Sequence, residues 1–274
     1  MPAPVSNTNG LCNGGAKESR PFVFRNLHYL PITGFLSSLI AMIVPYAISV
    51  YLGDTPAILP FISDAGGDPP QSIVFGLFLG VTSFTAVIGM YLKYLMVWQQ
   101  NRRIRDERVD TVNRWSCMAG LVVCLGGLIV ALSPTGHLRK DCTWYWPMFV
   151  PHVIGAIMVF GVGYTTTLLH LYLHYLTDTR WKTSPLFYTR ALLSLVGITA
   201  MIITGLNWLM FDISLMTPPT GRGKVYPQGM LRAVVAEWLM VFIFQSYVLT
   251  YIPDFRKATF VLDVNLGGVC EKKE

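Results

Sequence analysis

The carboxylate of Glu237, the imidazole of His152 and the amide of Asn207 each sit in a long apolar stretch of the chain. Side chains of these kinds bind headgroups or pass protons when they meet. An ionisable carboxylate inside a membrane helix is costly and faces a partner or water. At 1.5 Å of rise per helical residue, Glu237 falls roughly 9 Å below the surface, and His152 and Asn207 fall at similar depth. The three are therefore expected to form one buried polar layer. On the structural account, the layer locks helices together through hydrogen bonds worth about 0.6 kcal/mol each in membranes. On the functional account it is a headgroup or proton-sensing site, in which protonation of His152 in an acidic lumen strengthens its pairing with Glu237.

Other chemistry is poorly supplied. His170 and His174 stand one helical turn apart, a spacing that suits a shared metal, but no third or fourth ligand lies near them in the sequence, and two histidines snorkelling at a helix end is the expected reading. His152 lies 18 residues from His170 on the same stretch, which is about 27 Å along a helix, so the two cannot share a zinc ion. No Gly-x-Ser-x-Gly turn is present for a serine nucleophile. Neither a metal nor a cofactor is expected, and the chain reads as a non-enzyme. Arg102, Arg103, Arg105 and Arg108 form a basic run suited to anionic lipid at about 1 kcal/mol per residue. Asp106, Glu107 and Asp110 dilute it, and the plainer reading is charge that marks the cytosolic side. The carboxylates Asp54, Asp64 and Asp68, in a loop without a basic residue, could attract a cation, and a solvated loop is the simpler expectation.

The elements that must hold these residues are six apolar runs near 30–52, 73–98, 113–133, 148–176, 187–211 and 231–252. Each is long enough for a hydrocarbon core of roughly 30 Å. Hydrophobic residues make up 53% of the 274 and charged ones 13%, with the charges gathered between the runs, so a water-soluble fold is excluded. The expected fold is an all-α polytopic membrane protein, six transmembrane helices in one bundle. It divides into a flexible cytosolic amino-terminal tail over 1–29, a six-span domain over 30–252 and a short cytosolic tail over 253–274. With no apolar core ahead of it, the first run is expected to serve as the insertion signal.

Lysine and arginine set the orientation, because short loops rich in them stay cytosolic. With both termini cytosolic, sixteen of the 21 fall on the cytosolic side, and Arg139, Lys140, Arg222, Lys224 and Arg232 on the other. The charge of +6 thus reports membrane orientation, and nucleic acid is not an expected partner. Tryptophans agree, since indoles prefer the headgroup boundary: Trp98, Trp115 and Trp181 mark cytosolic ends, and Trp144, Trp146, Trp208 and Trp238 the opposite ones. Cys142 alone lies in a non-cytosolic loop, so no intramolecular disulfide is expected. Gly76 and Gly80 make a small-xxx-small pair for close helix packing, and the proline- and glycine-rich stretch from Asp54 to Pro70 cannot be helical throughout.

Leu59-Pro60-Phe61-Ile62-Ser63-Asp64-Ala65-Gly66, followed by Pro69-Pro70 and Phe75-Gly76, resembles the loop signature of the DRAM (damage-regulated autophagy modulator) family. Ala236-Glu237-Trp238 and the segment from Leu249 to Lys257, with Asp254-Phe255 at its centre and Asn265-Leu266 beyond, resemble that family's carboxy-terminal segment. His152-Val153-Ile154-Gly155-Ala156 and Phe160-Gly161 add a third match. The resemblance runs through all six spans and singles out Ser63, Asp64, Gly66, Trp238, Asp254 and Phe255. It implies a lysosomal or endosomal membrane protein tied to autophagy and cell survival.

Three functions follow as expectations. The first is a non-enzymatic regulator of autophagy in the endolysosomal membrane, working through membrane lipids or membrane and cytosolic protein partners. A second is a plasma-membrane adaptor for phosphatidylinositol 4-kinase and phosphoinositide synthesis, since related six-span proteins assist that kinase. The third is a lipid-handling enzyme or transporter that uses the Glu237 layer.

Overall fold

A computed structural model describes residues 21–135, 146–210 and 229–263. Arg139, Lys140, Cys142, Trp144, Arg222, Lys224 and Asn265-Leu266 lie outside the described residues, as do Lys17, Cys12, Cys270, Lys272 and Lys273.

The chain begins with strand β1 (Phe22–Phe24) and enters α1 (Tyr29–Leu52), which ends at Gly53 in the left-handed conformation that glycine adopts without strain. After a loop carrying one short helix, α2 (Ile62–Ala65), it returns through α3 (Gln71–Ile104) and turns sharply into α4 (Glu107–Leu132). The turn is closed by the buried Asn101, whose amide donates to Asp106 O (3.0 Å) and whose Oδ1 accepts from Asp106 N (3.1 Å). α5 (Trp146–Ile157), a π turn (Met158–Val162) and α6 (Gly163–Thr177) form one broken helix. α7 (Pro185–Met210), α8 (Leu231–Leu249) and α9 (Ile252–Arg256) follow, and β2 (Phe260–Leu262) pairs antiparallel with β1, Phe22 opposite Leu262. The pairing brings both ends of the described chain to one face of the bundle, called here the terminal face; the loop over 53–70 lies at the distal face.

Six of these helices are long and apolar enough to cross a membrane. Their surfaces are turned inside out relative to a soluble bundle. Ile73, Leu77, Val81, Phe84, Ile88 and Tyr91 follow one another at three- and four-residue steps along α3 and are all exposed. Serines 37, 38, 83, 116 and 194 and Thr167 are buried. In water this pattern would be unstable; in lipid, which is as apolar as leucine, small interior residues gain by letting backbones approach. Gly126 of α4 and Gly155 of α5 meet this way, a Cβ built on either falling 2.8 Å from the other's carbonyl oxygen. Gly76 likewise packs within the chain, its Cβ position 2.7 Å from Ala131 O, while nothing approaches Gly80.

The structure moves several boundaries read from the apolar runs. α3 continues past Trp98 to Ile104 and α4 begins at Glu107, because their polar ends extend the helices beyond the hydrocarbon. Residues 22–24 of the expected tail form a strand, since Phe24 and Phe260 pack ring on ring at 6.2 Å and give the pair an apolar face.

Candidate functional site

The polar residues that read as candidates fall into two groups, at opposite ends of the bundle.

At the distal face, the loop over 53–70 is bound down onto the helix ends. Trp238 Nε1 donates to Pro60 O (2.8 Å), and Glu237 Oε2 accepts from Ile62 N (3.0 Å). Two neighbouring side chains of α8 thus grip two backbone groups of the loop on either side of Phe61. Phe61 is buried against Met230, Ala233 and Val234, with its ring 5.3 Å from that of Trp208. Further ties come from Tyr46 to Ala57 O (2.7 Å), Ser49 to Thr55 (2.8 Å), Gln71 to Asp54 (2.9 Å) and Thr135 to Ser63 O (2.8 Å). Asp64 is buried, and Gly66 lies flush on Phe75, whose Cγ is 2.6 Å from where a Cβ would stand. The loop is a plug seated on the bundle, with Asp54 and Asp64 engaged in it, rather than a solvated segment.

His152 and Glu237 line one cavity of about 100 Å³ beneath this plug, together with Ser38, Ile62 and Ser63. Each holds a different partner: His152 Nδ1 sits 2.7 Å from Ser133 O, whereas Glu237 holds the loop. Asn207 does not join them; its amide turns back on its own helix, to Ile203 O at 2.7 Å. That bond is available to any asparagine in a helix, and it needs no partner on another span.

At the terminal face, Asp254 accepts from Lys93 of α3 (2.7 Å) and from Arg190 of α7 (2.8 Å). Arg190 is buried, and its remaining donors reach Thr250 Oγ1 (3.0 Å), Thr250 O (2.8 Å) and His174 Nδ1 (3.3 Å). The Tyr251 ring lies 5.6 Å from the Lys93 ammonium and 5.2 Å from the Arg190 guanidinium, and its hydroxyl bonds to His170 Nδ1. Phe255 is buried beside them. His170 and His174 are therefore not snorkelling side chains. His170 is 4% exposed, and His174 links Arg190 to Asp178. The cause is that Tyr251, in the turn after α8, covers His170, and Arg190 and Phe187 of α7 cover His174. Outside the spans, Asp178 caps the turn after α6: its carboxyl is held below the usual range by the Arg180 backbone N–H, with a smaller contribution from His174.

The four arginines of the basic run part company. Arg108 donates to both oxygens of Asp106, Nε to Oδ1 at 3.2 Å and a terminal nitrogen to Oδ2 at 2.8 Å, which holds that carboxyl below its ordinary range. Arg102 lies over the Trp98 ring at 5.1 Å, and Arg105 adopts the left-handed conformation that ends α3. Arg103 is exposed. Arg102 and Arg105 line one hollow with Trp98, Asn101, Asp106, Glu107 and Asp110, and Arg103 and Arg108 are not among its lining residues.

Sequence reasoning did not pick out Lys93, Arg190, Tyr251 or Thr250. Lys93 carried a usable signal, since it stands within the second apolar run just as Glu237 stands within the last. Its ion-pair partner is 161 residues away, which no local pattern reveals.

A family model described as the Frag1/DRAM/Sfk1/Cwh43P N-terminal domain matches residues 26–258. The chain belongs to this family. The match takes in the plug, its clasp and the Asp254 cluster together. Among relatives, DNA damage-regulated autophagy modulator protein 1 of Xenopus laevis is 30% identical over 241 residues, covering 87% of this chain and 94% of its own. DNA damage-regulated autophagy modulator protein 2 of Mus musculus is 26% identical over 254 residues, covering 89% and 90%. Transmembrane protein 150A of Homo sapiens is 24% identical over 147 residues, 54% of this chain and 48% of its own. No solved structure matches. This family member is thus an integral membrane protein similar along most of its length to proteins named as autophagy modulators.

Proposed function

We propose that the protein is a non-enzymatic regulator of autophagy in an endolysosomal membrane, acting through lipid or protein partners. The observation that carries this reading is the extent of the likeness: relatives named as autophagy modulators match about nine-tenths of the chain. The geometry supports a regulator over an enzyme, because two acids of the signature segments, Glu237 and Asp254, hold the protein together. Glu237 binds the plug and Asp254 ties α3 and α7 to the last helix. The terminal face is the cytosolic one. Arg102, Arg103, Arg105, Arg180 and Lys182 sit at helix turns on that side and the plug carries carboxylates, in the sense of the positive-inside rule.

The test is to tag the amino terminus at near-native expression, place the protein against lysosomal and plasma-membrane markers, and follow autophagic flux after its removal. Lysosomal signal with altered flux, restored by the wild-type chain, is the expected result. Plasma-membrane signal with unchanged flux would overturn the reading in favour of an adaptor for phosphoinositide synthesis.

A further inference from the structure

A second cavity, of about 140 Å³, lies between α1, α3, α4, the π turn and α8 on the terminal side of the plug. Its walls are small or apolar, among them Gly34, Ala86, Gly89 and Gly127, and Lys93 and Tyr251 also line it. Phe244 and Gln245 line both this cavity and the one under the plug, so they close its deep end.

The charges around it do not balance. Lys93 and Arg190 share one carboxylate, Asp254, and among the described residues no other acid is paired with either. Arg190 directs its donors to Thr250, His174 and Asp254. An ammonium has three donors, and Asp254 takes one of them. The surplus positive charge thus belongs to Lys93, which lines the apolar cavity and whose ammonium has the Tyr251 ring 5.6 Å away besides Asp254. Burying an uncompensated charge is costly, and an anion placed there would offset it. Size limits the rest of the occupant: an apolar cavity of roughly 150 Å³ holds one benzene, about six carbons.

We infer that this cavity binds a fatty acid of about six carbons, its carboxylate paired with Lys93 and its chain lying along Gly89 and Ala86. The acid group supplies the missing negative charge, and the small residues of α3 give the chain its width. A headless phospholipid acyl chain would fill the same space without using Lys93, so the two occupants differ in their demand for charge.

The experiment uses the full chain in phosphatidylcholine nanodiscs, titrated with hexanoate and with hexanol by calorimetry. Hexanoate is expected to bind saturably and hexanol at least about tenfold more weakly, for loss of a charge-assisted hydrogen bond. Lys93→Met should bring hexanoate to the level of hexanol. Gly89→Leu is the second variant, because Gly89 lines the cavity and a Cβ there meets nothing within 4 Å, which leaves room for a larger side chain. It should abolish hexanoate binding while leaving the melting temperature in place. Absence of saturable hexanoate binding, equal binding of hexanol, or hexanoate binding by Gly89→Leu as tight as wild type would each overturn the assignment.

Discussion

Replacing Glu237 tests whether the intramembrane acid is a clasp for the plug. The carboxylate accepts the Ile62 N–H at 3.0 Å, while Trp238 holds Pro60 O two residues earlier. In Glu237→Ala, the Ile62 N–H is left without its acceptor in a cavity of about 100 Å³ lined mostly by apolar groups. A buried donor deprived of its partner costs about 1–3 kcal/mol. If the plug lifts as a unit, that cost appears as local opening, and the Ile62 amide should exchange with solvent about 5- to 150-fold faster, at tenfold per 1.4 kcal/mol. Glu237→Gln keeps an acceptor oxygen for the Ile62 N–H, so its effect should be smaller, near 1 kcal/mol. Hydrogen exchange by mass spectrometry on loop peptides of the protein in nanodiscs reads all three chains. Ile62 exchange in Glu237→Ala within twofold of wild type would refute the clasp. So would a glutamine variant as damaging as the alanine, which would mean that charge, and not hydrogen bonding to the loop, is what the site needs.

Other substitutions probe the rest of the bundle. Asp254→Asn removes the only carboxylate between Lys93 and Arg190 among the described residues; stranding buried cations should cost about 3–5 kcal/mol, seen as a lower melting temperature in detergent and a larger loss than for Glu237→Gln. Gly155→Ala puts a Cβ 2.8 Å from Gly126 O and should destabilise by about 1–3 kcal/mol through forced helix separation. Gly80→Ala enters open space and should be neutral or stabilise by up to about 1 kcal/mol in the same thermal assay. The Asp178 carboxyl is depressed on folding, so its contribution is present above its ordinary pKa and lost as pH falls through the folded value. Asp178→Asn should therefore flatten the acid limb of stability below about pH 4, measured by unfolding across that range.

The six spans were legible because length and apolarity alone decide which segments a bilayer accepts. Their ends were not, since Gln99 to Ile104 remain helical beyond the apolar run, with Asn101 closing the turn. Glu237 stood out as an acid in an apolar run, yet its partner could not be read, because a backbone N–H carries no residue type. Asn207 shared its depth with Glu237 and still bonded within its own helix, so depth does not establish contact. His170 and His174 differ from the expectation for a related reason: nearness to a helix end does not make a side chain exposed when Tyr251 and the residues of α7 lie over it. Lys93 and Arg190 enter the sequence reading only as charges counted toward one face, and that count is blind to Asp254, which pairs with both.

The pairing of β1 with β2 also has a temporal meaning. Phe22 and Leu262 are partners separated by nearly the whole chain, and at synthesis rates of roughly 5–20 residues per second the first waits about 10–50 s for the second to be made. During that interval α1 is in the membrane without the strand that will cinch its beginning, and Lys93 is without Asp254. The bundle therefore closes only after Leu262 has been made, and the half-made protein displays to its membrane the unpaired lysine that the finished one keeps beside its inner cavity.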